Sequence, residues 1–178
     1  MIGEQQACEL LAKYGLSEKR INHSKGVADI AYRLACAIRN NNPQVSLDPQ
    51  KVKIAALLHD IGRAVPEGDH VDNTVAILTK EGLGVLGEIV MHGSRYEEAL
   101  LEGIDNPFFI PQSIENKIVA YADTRFRLSP VTVEERVEEI RIRRSGEPAK
   151  IRAVEMAKKR YLAMEKELLR LAGLDIIK

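Results

Sequence analysis

The chain contains no tryptophan, only three phenylalanines and only two cysteines. Cys8 and Cys36 each sit within an apolar helical pattern, so no disulfide framework is expected and a reduced, cytoplasmic compartment fits best. Long apolar runs are absent too. Nothing approaches the roughly 20 residues of a membrane span, and the acidic opening M-I-G-E-Q-Q-A-C-E-L-L has no signal-peptide core. Strand-type alternation, internal repeats, a glycine-rich phosphate loop, a nucleophilic-serine setting and a C-x-x-C pair are all missing. Net charge is also missing, because 26 Lys and Arg balance 26 Asp and Glu. Bulk neutrality argues against a nucleic-acid or membrane partner. The charge is unevenly spread, however: residues 81–140 hold 12 acidic and 5 basic side chains, while 141–160 hold 8 basic and 2 acidic.

What is present reads as helix throughout. With 178 residues, 45% apolar and 29% charged, the chain is expected to form one all-α domain with a real core. Apolar spacing gives a short helix over 4–14 and a long one from an N-cap at Ser17 to about Asn40, with the stripe Val27, Ile30, Leu34, Ile38. Asp48-Pro49 opens a helix that runs to Asp60, where Gly62 lets the backbone leave. Further helices are expected over 74–80 and 85–92, the latter with an inward stripe Val85, Ile89, His92. Residues 94–112 read as a connection packed down by Phe108, Phe109 and Ile110. Ser113 caps the helix that carries Asp123, and Thr132 with Glu135 forms a capping box for a helix to about Ser145. Gly146-Glu147-Pro148 separates it from a last helix over 149–172.

The four histidines fall in telling places. His59 and Asp60 stand side by side where a buried helix ends. His23 lies one turn before the apolar stripe of its helix, His92 ends another stripe, and His70 stands on a loop or at a helix start. Asp123 sits four residues after Val119, at the edge of an inward face, where an unpaired carboxylate is costly to bury. Each residue alone reads as a satisfied core or surface group. Together, imidazoles and carboxylates suit a divalent ion such as Mn, Fe, Co, Ni or Zn without recruiting a thiol.

The order His23, His59-Asp60, Asp123 resembles the H…HD…D pattern of the HD-domain phosphohydrolase superfamily. N-H-S-K-G-V-A at 22–28, L-L-H-D-I-G-R at 57–63 and V-A-Y-A-D at 119–123 look like its three blocks, and the resemblance spans about residues 16–145. It implies an all-α bundle of six to eight helices around a metal site, with the C-terminal helix packed on it. It also implies a first ion held by His23, His59, Asp60 and Asp123, with Asp60 bridging to a second ion held by His70 and His92. Arg63, Lys25 and Arg95, with Arg125 and Arg127 behind them, become candidates for holding a phosphoryl group. The activity so implied is hydrolysis of a phosphate ester or anhydride of a small nucleotide by a metal-bound hydroxide, with Asp60 and Arg63 catalytic. The loops at 64–73 and 94–112 would set specificity.

Two other readings compete. Some two-iron members of the superfamily oxidise rather than hydrolyse, so a diiron oxygenase is one. The other is a non-catalytic, metal-stabilised module that binds RNA or a protein through the basic 141–160 segment. The carboxylate-bridged ligand set argues against it, since structural ion sites are usually closed. The basic segment is expected instead to rim its own domain or to form a homodimer contact.

Overall fold

The computed structural model describes residues 2–174. Within these residues eight α-helices follow one another: α1 Glu4–Lys13, α2 Glu18–Asn41, α3 Pro49–Leu58, α4 His70–Lys80, α5 Arg95–Leu101, α6 Ile114–Thr124, α7 Val133–Arg143 and α8 Pro148–Ala172. Among the described residues there is no strand, only an isolated bridge between Phe126 and Pro130. No described helix is long and apolar enough to cross a membrane.

The expected caps form where small polar side chains meet free amides. The Asp48 carboxylate accepts from the Gln50 N–H at 2.9 Å, with Pro49 at the first helical position, and the Ser113 hydroxyl accepts from Asn116 at 3.1 Å. Thr132 and Glu135 bond each other's backbone reciprocally. At the far end, Gly173 closes α8 in a left-handed conformation, φ +67°. There the Asn41 and Asn42 amides donate to the carbonyls of Ala172 and Leu171, each at 2.6 Å. Those two bonds tie the end of α2 to the end of α8.

α2 is the spine, packed against α3, α6 and α8. Its inward residues Val27, Ala31, Ala35 and Ile38 are fully buried. α3 is buried nearly all round, which explains its alanine-rich, uncharged second half. α8 lays Val154, Ala157, Tyr161, Met164 and Leu168 into the same core.

Two expectations fail between α4 and α6. Residues 85–92 do not form a helix: a single 3₁₀ turn, Gly84–Leu86, precedes an irregular run to Gly93, and Val85 is 64% exposed. Gly87 inside the segment weakens a helix by about 1 kcal/mol relative to alanine, and Gly82 and Gly84 before it leave its start without helical support. The buried carbonyls left over find other donors. Asn116 of α6 bonds the carbonyls of Ile89 and Met91 at 2.9 and 2.6 Å, and Arg160 of α8 bonds that of Gly93 at 3.0 Å. The connection over 94–112 contains α5, and Phe108 does not pack it down but stands 80% exposed. Phe109 does pack, beneath the Arg95 guanidinium at 4.4 Å.

Candidate metal centre

Six side chains from five places in the chain converge. His23 comes from the first turns of α2, His59 and Asp60 from the end of α3, His70 from the start of α4, His92 from the irregular segment, and Asp123 from the end of α6. Helix ends supply most of them because there the backbone departs and neighbouring side chains can share a target. Gly62 serves this convergence differently from the sequence reading. Its φ is not positive; instead a Cβ there would lie 2.0 Å from the His70 carbonyl and 2.4 Å from the Thr74 amide. The turn after His59-Asp60 is therefore pressed against the first turn of α4, and only glycine fits. The Thr74 hydroxyl locks the contact. It accepts from the Gly62 N–H at 2.9 Å and lies 3.1 and 2.8 Å from the carbonyls of His59 and His70.

Three of the four imidazoles have their outer nitrogen on a backbone carbonyl: His23 on Arg127 at 3.2 Å, His59 on Ala56 at 2.7 Å and His92 on Val90 at 2.8 Å. A carbonyl only accepts, so Nδ1 is the donor in each, which leaves Nε2 to face the centre with a lone pair. There, His23 Nε2 lies 3.0 Å from Asp123 Oδ1 and His59 Nε2 lies 3.5 Å from the same oxygen. Asp60 Oδ1 is 3.4 Å from His92 and 3.6 Å from His70, while its Oδ2 is 3.9 Å from His59. His59 Nε2 and Asp60 Oδ1 are buried without any hydrogen-bond partner. Two buried electron-pair donors without a donor partner are costly unless a cation serves them. The donor set therefore fits a divalent metal ion. Three overlapping groups can hold one: His23, His59 and Asp60; His59, His92 and Asp123; Asp60, His70 and His92.

The charges respond as such a cluster requires. Burial alone would raise the Asp60 carboxyl, but the neighbouring His59, His92 and Arg63 hold it well below the ordinary carboxylate range. Asp123 is likewise held low, against burial, by His23, His59 and Arg136. Burial also depresses the imidazoles, yet Asp123 raises His23 and Asp60 raises His92 above the usual value. His70 goes the other way, to about 4, through burial and the nearby His92 and Arg63.

A cavity of about 510 Å³ opens onto His70, His92 and Asp123. Arg20, Arg63, Arg95, Arg136, Arg143, Arg144 and Lys150 line it, against Asp69, Glu98 and Asp123. Of the basic candidates singled out from the sequence, Arg63 donates to Asp60 and His70, and Arg95 pairs with Asp72 and Asp69 at the rim. Lys25 is exposed and lines no part of the cavity. Arg125 turns away to Tyr121, Glu165 and the Val131 carbonyl, and Arg127 contributes its carbonyl to His23. Sequence reasoning missed Thr74, Asn116, Arg136, Arg160 and Tyr161. Only the contacts reveal them, although an arginine at position 160, three residues after Ala157 and four before Met164 of the apolar stripe, is the kind of signal that could have.

The HD-domain family model matches residues 20–127. A tRNA (cytidine(56)-2′-O)-methyltransferase of Thermoplasma volcanium is 37% identical over 133 residues, 71% of this chain and 37% of that protein. The protein of the same name from Picrophilus torridus is 31% identical over 128 residues, 67% of this chain and 35% of the relative. An uncharacterised protein of Methanocaldococcus jannaschii is 34% identical over 114 residues, 60% of this chain and 66% of its own. The chain thus spans little more than a third of either methyltransferase. No solved structure matches it. These relatives correct two expectations. The chain's named relatives carry out methyl transfer to tRNA, not phosphate release, so the reading as a metal-dependent phosphohydrolase of a small nucleotide does not hold. The ligand pattern specifies how donors surround an ion and not what is brought to that ion. The expectation against a nucleic-acid partner falls with it, because a net charge of zero averaged an acidic 81–140 stretch with cations gathered round one cavity. The all-α fold stands, and with a family match over more than half its length the chain belongs to the HD-domain family.

Proposed function

We propose that the chain is a metal-holding, tRNA-binding module that serves tRNA modification. The observation that carries this is the placement of seven cationic side chains around a cavity whose inner end is the histidine-aspartate cluster. Clustered Lys and Arg neutralise successive phosphates, and this gives RNA binding its strength. The names of the two archaeal methyltransferases supply the kind of RNA. Since the matched segment is a minor part of either, methyl transfer itself is not assigned to these residues. The reading carries a cytoplasmic location with it, where tRNA is found.

In this reading His23, His59, Asp60 and Asp123 would hold one divalent ion, and Asp60, His70 and His92 would hold a second. Asp60 would serve both, because its two oxygens face different groups. Imidazole and carboxylate donors suit Mn, Fe, Co, Ni or Zn. When bound, such an ion supplies a Lewis-acid charge against a phosphate or 2′-hydroxyl oxygen. The chain's own part is to keep the carboxylates ionised, to present imidazole lone pairs and to hold the backbone at the rim through Arg143, Arg144 and Lys150.

The test is titration of the protein into labelled tRNA at several salt concentrations. Binding is expected to weaken steeply with salt, by a log–log slope of about −0.7 to −0.9 per phosphate contacted. R144A combined with K150A should flatten that slope by about one to two such units. Failure to bind tRNA at low salt any better than duplex DNA of equal length sinks the proposal.

A further inference from the structure

We propose that the cavity admits one unpaired ribonucleotide and refuses paired RNA; this rests on the tRNA-binding reading and deepens it. Depth is the first ground. His59 is fully buried and Asp60 and His92 are each 6% exposed, and of the six cluster residues only His70, His92 and Asp123 reach the cavity wall. An RNA oxygen must therefore descend below the rim to touch the centre. In an A-form duplex it cannot do so without bringing the partner strand along.

Size and lining are the second ground. A volume of about 510 Å³ lies in the range of small-ligand cavities, enough for one nucleotide and far short of a helix. Its wall is mixed in the way a nucleotide is mixed. The half-buried Ile140 and the nearly buried Val71 and Val154 put apolar atoms on the wall, and Arg136 and Tyr161 line it as well. Burial pushes the Tyr161 hydroxyl well above its ordinary value, so it remains a hydrogen-bond donor. Arg143, Arg144 and Lys150 then stand where the phosphates on either side of an inserted nucleotide would pass. Their Glu139 and Glu147 partners are exposed or near-surface pairs that give way cheaply.

The absence of tryptophan makes a direct test possible. Val65 is 38% exposed and lines the cavity, so V65W places the chain's only indole at its wall without touching a metal ligand. A short oligoribonucleotide, the same strand annealed to its complement and the same strand closed into a circle are titrated against V65W. They also compete for labelled tRNA on the unsubstituted protein, so a misfolded variant does not decide the matter. Expected are quenching of V65W by the single strand and affinity at least tenfold above that of the duplex. A circle that binds as tightly as the linear strand supports insertion of an internal unpaired nucleotide, and binding of the linear form alone supports insertion of a chain end. Equal affinity for single strand and duplex, or single-strand binding that leaves V65W emission unchanged, overturns the inference while tRNA binding stands. If neither tRNA nor any strand binds, both fall.

Discussion

Asp60 is the residue on which the centre turns, since each of its oxygens faces a different set of imidazoles. Asp60→Asn keeps the volume and removes the charge. Metal content per chain is expected to collapse, with affinity down by well over the 10–100-fold typical of outer-shell changes. Circular dichroism should stay helical, because the apolar stripes hold the fold. Acid should weaken metal binding at the same centre, and the sign follows from the imidazoles. Burial pulls both His23 and His92 down, but their carboxylate partners raise them above the ordinary value. Without metal, each therefore gains a proton as pH falls through neutrality, and an incoming ion has to displace it. Affinity should drop on going from pH 8 to 6, and loading in a weak buffer should release protons. His70, at about 4, stays neutral across that window and contributes none. A pH-independent affinity over that range contradicts this account.

Helix ends, caps and the His59-Asp60 junction were readable from sequence because they depend on residues three or four apart. The segment carrying His92 was not readable, because what holds it is remote. Asn116 and Arg160 bond the carbonyls that a helix there would have bonded or capped. Arg160 also bonds both oxygens of Glu97, at 2.9 and 2.7 Å, and Glu97 is 5% exposed. Arg160→Met leaves that carboxylate buried and alone, so a loss of about 3–5 kcal/mol is expected in urea denaturation. Metal affinity should also fall as the Gly93 carbonyl is freed. Glu97→Gln added to Arg160→Met should recover much of the stability but not the metal affinity, because the Gly93 contact is still missing. Recovery of both means that Arg160 serves only to neutralise Glu97. Of the seven cations, Arg63 and Arg95 were singled out from the sequence, Arg143, Arg144 and Lys150 showed only as a composition bias toward 141–160, and Arg20 and Arg136 join them through folding alone.

On the scale of the whole molecule, α8 touches α2, α5, α6 and α7, so its stripe holds the bundle closed. Leu168 is fully buried, and Leu168→Ala should cost about 2–5 kcal/mol in a single cooperative transition. A change under 1 kcal/mol would mean that α8 is dispensable to the core. The dependence of His92 on Arg160 also sets an order of assembly. The bond to Gly93 closes a loop of 67 residues, and that from Asn116 to Met91 one of 25. Contacts so far apart in sequence carry a loop-closure cost that has to be met before they form. During synthesis, His23, His59 and Asp60 leave the ribosome long before the arginine that steadies His92, and a nascent chain can offer an ion only part of its final setting. Until α8 has been made and docked, the Gly93 carbonyl beside His92 has no arginine to hold it.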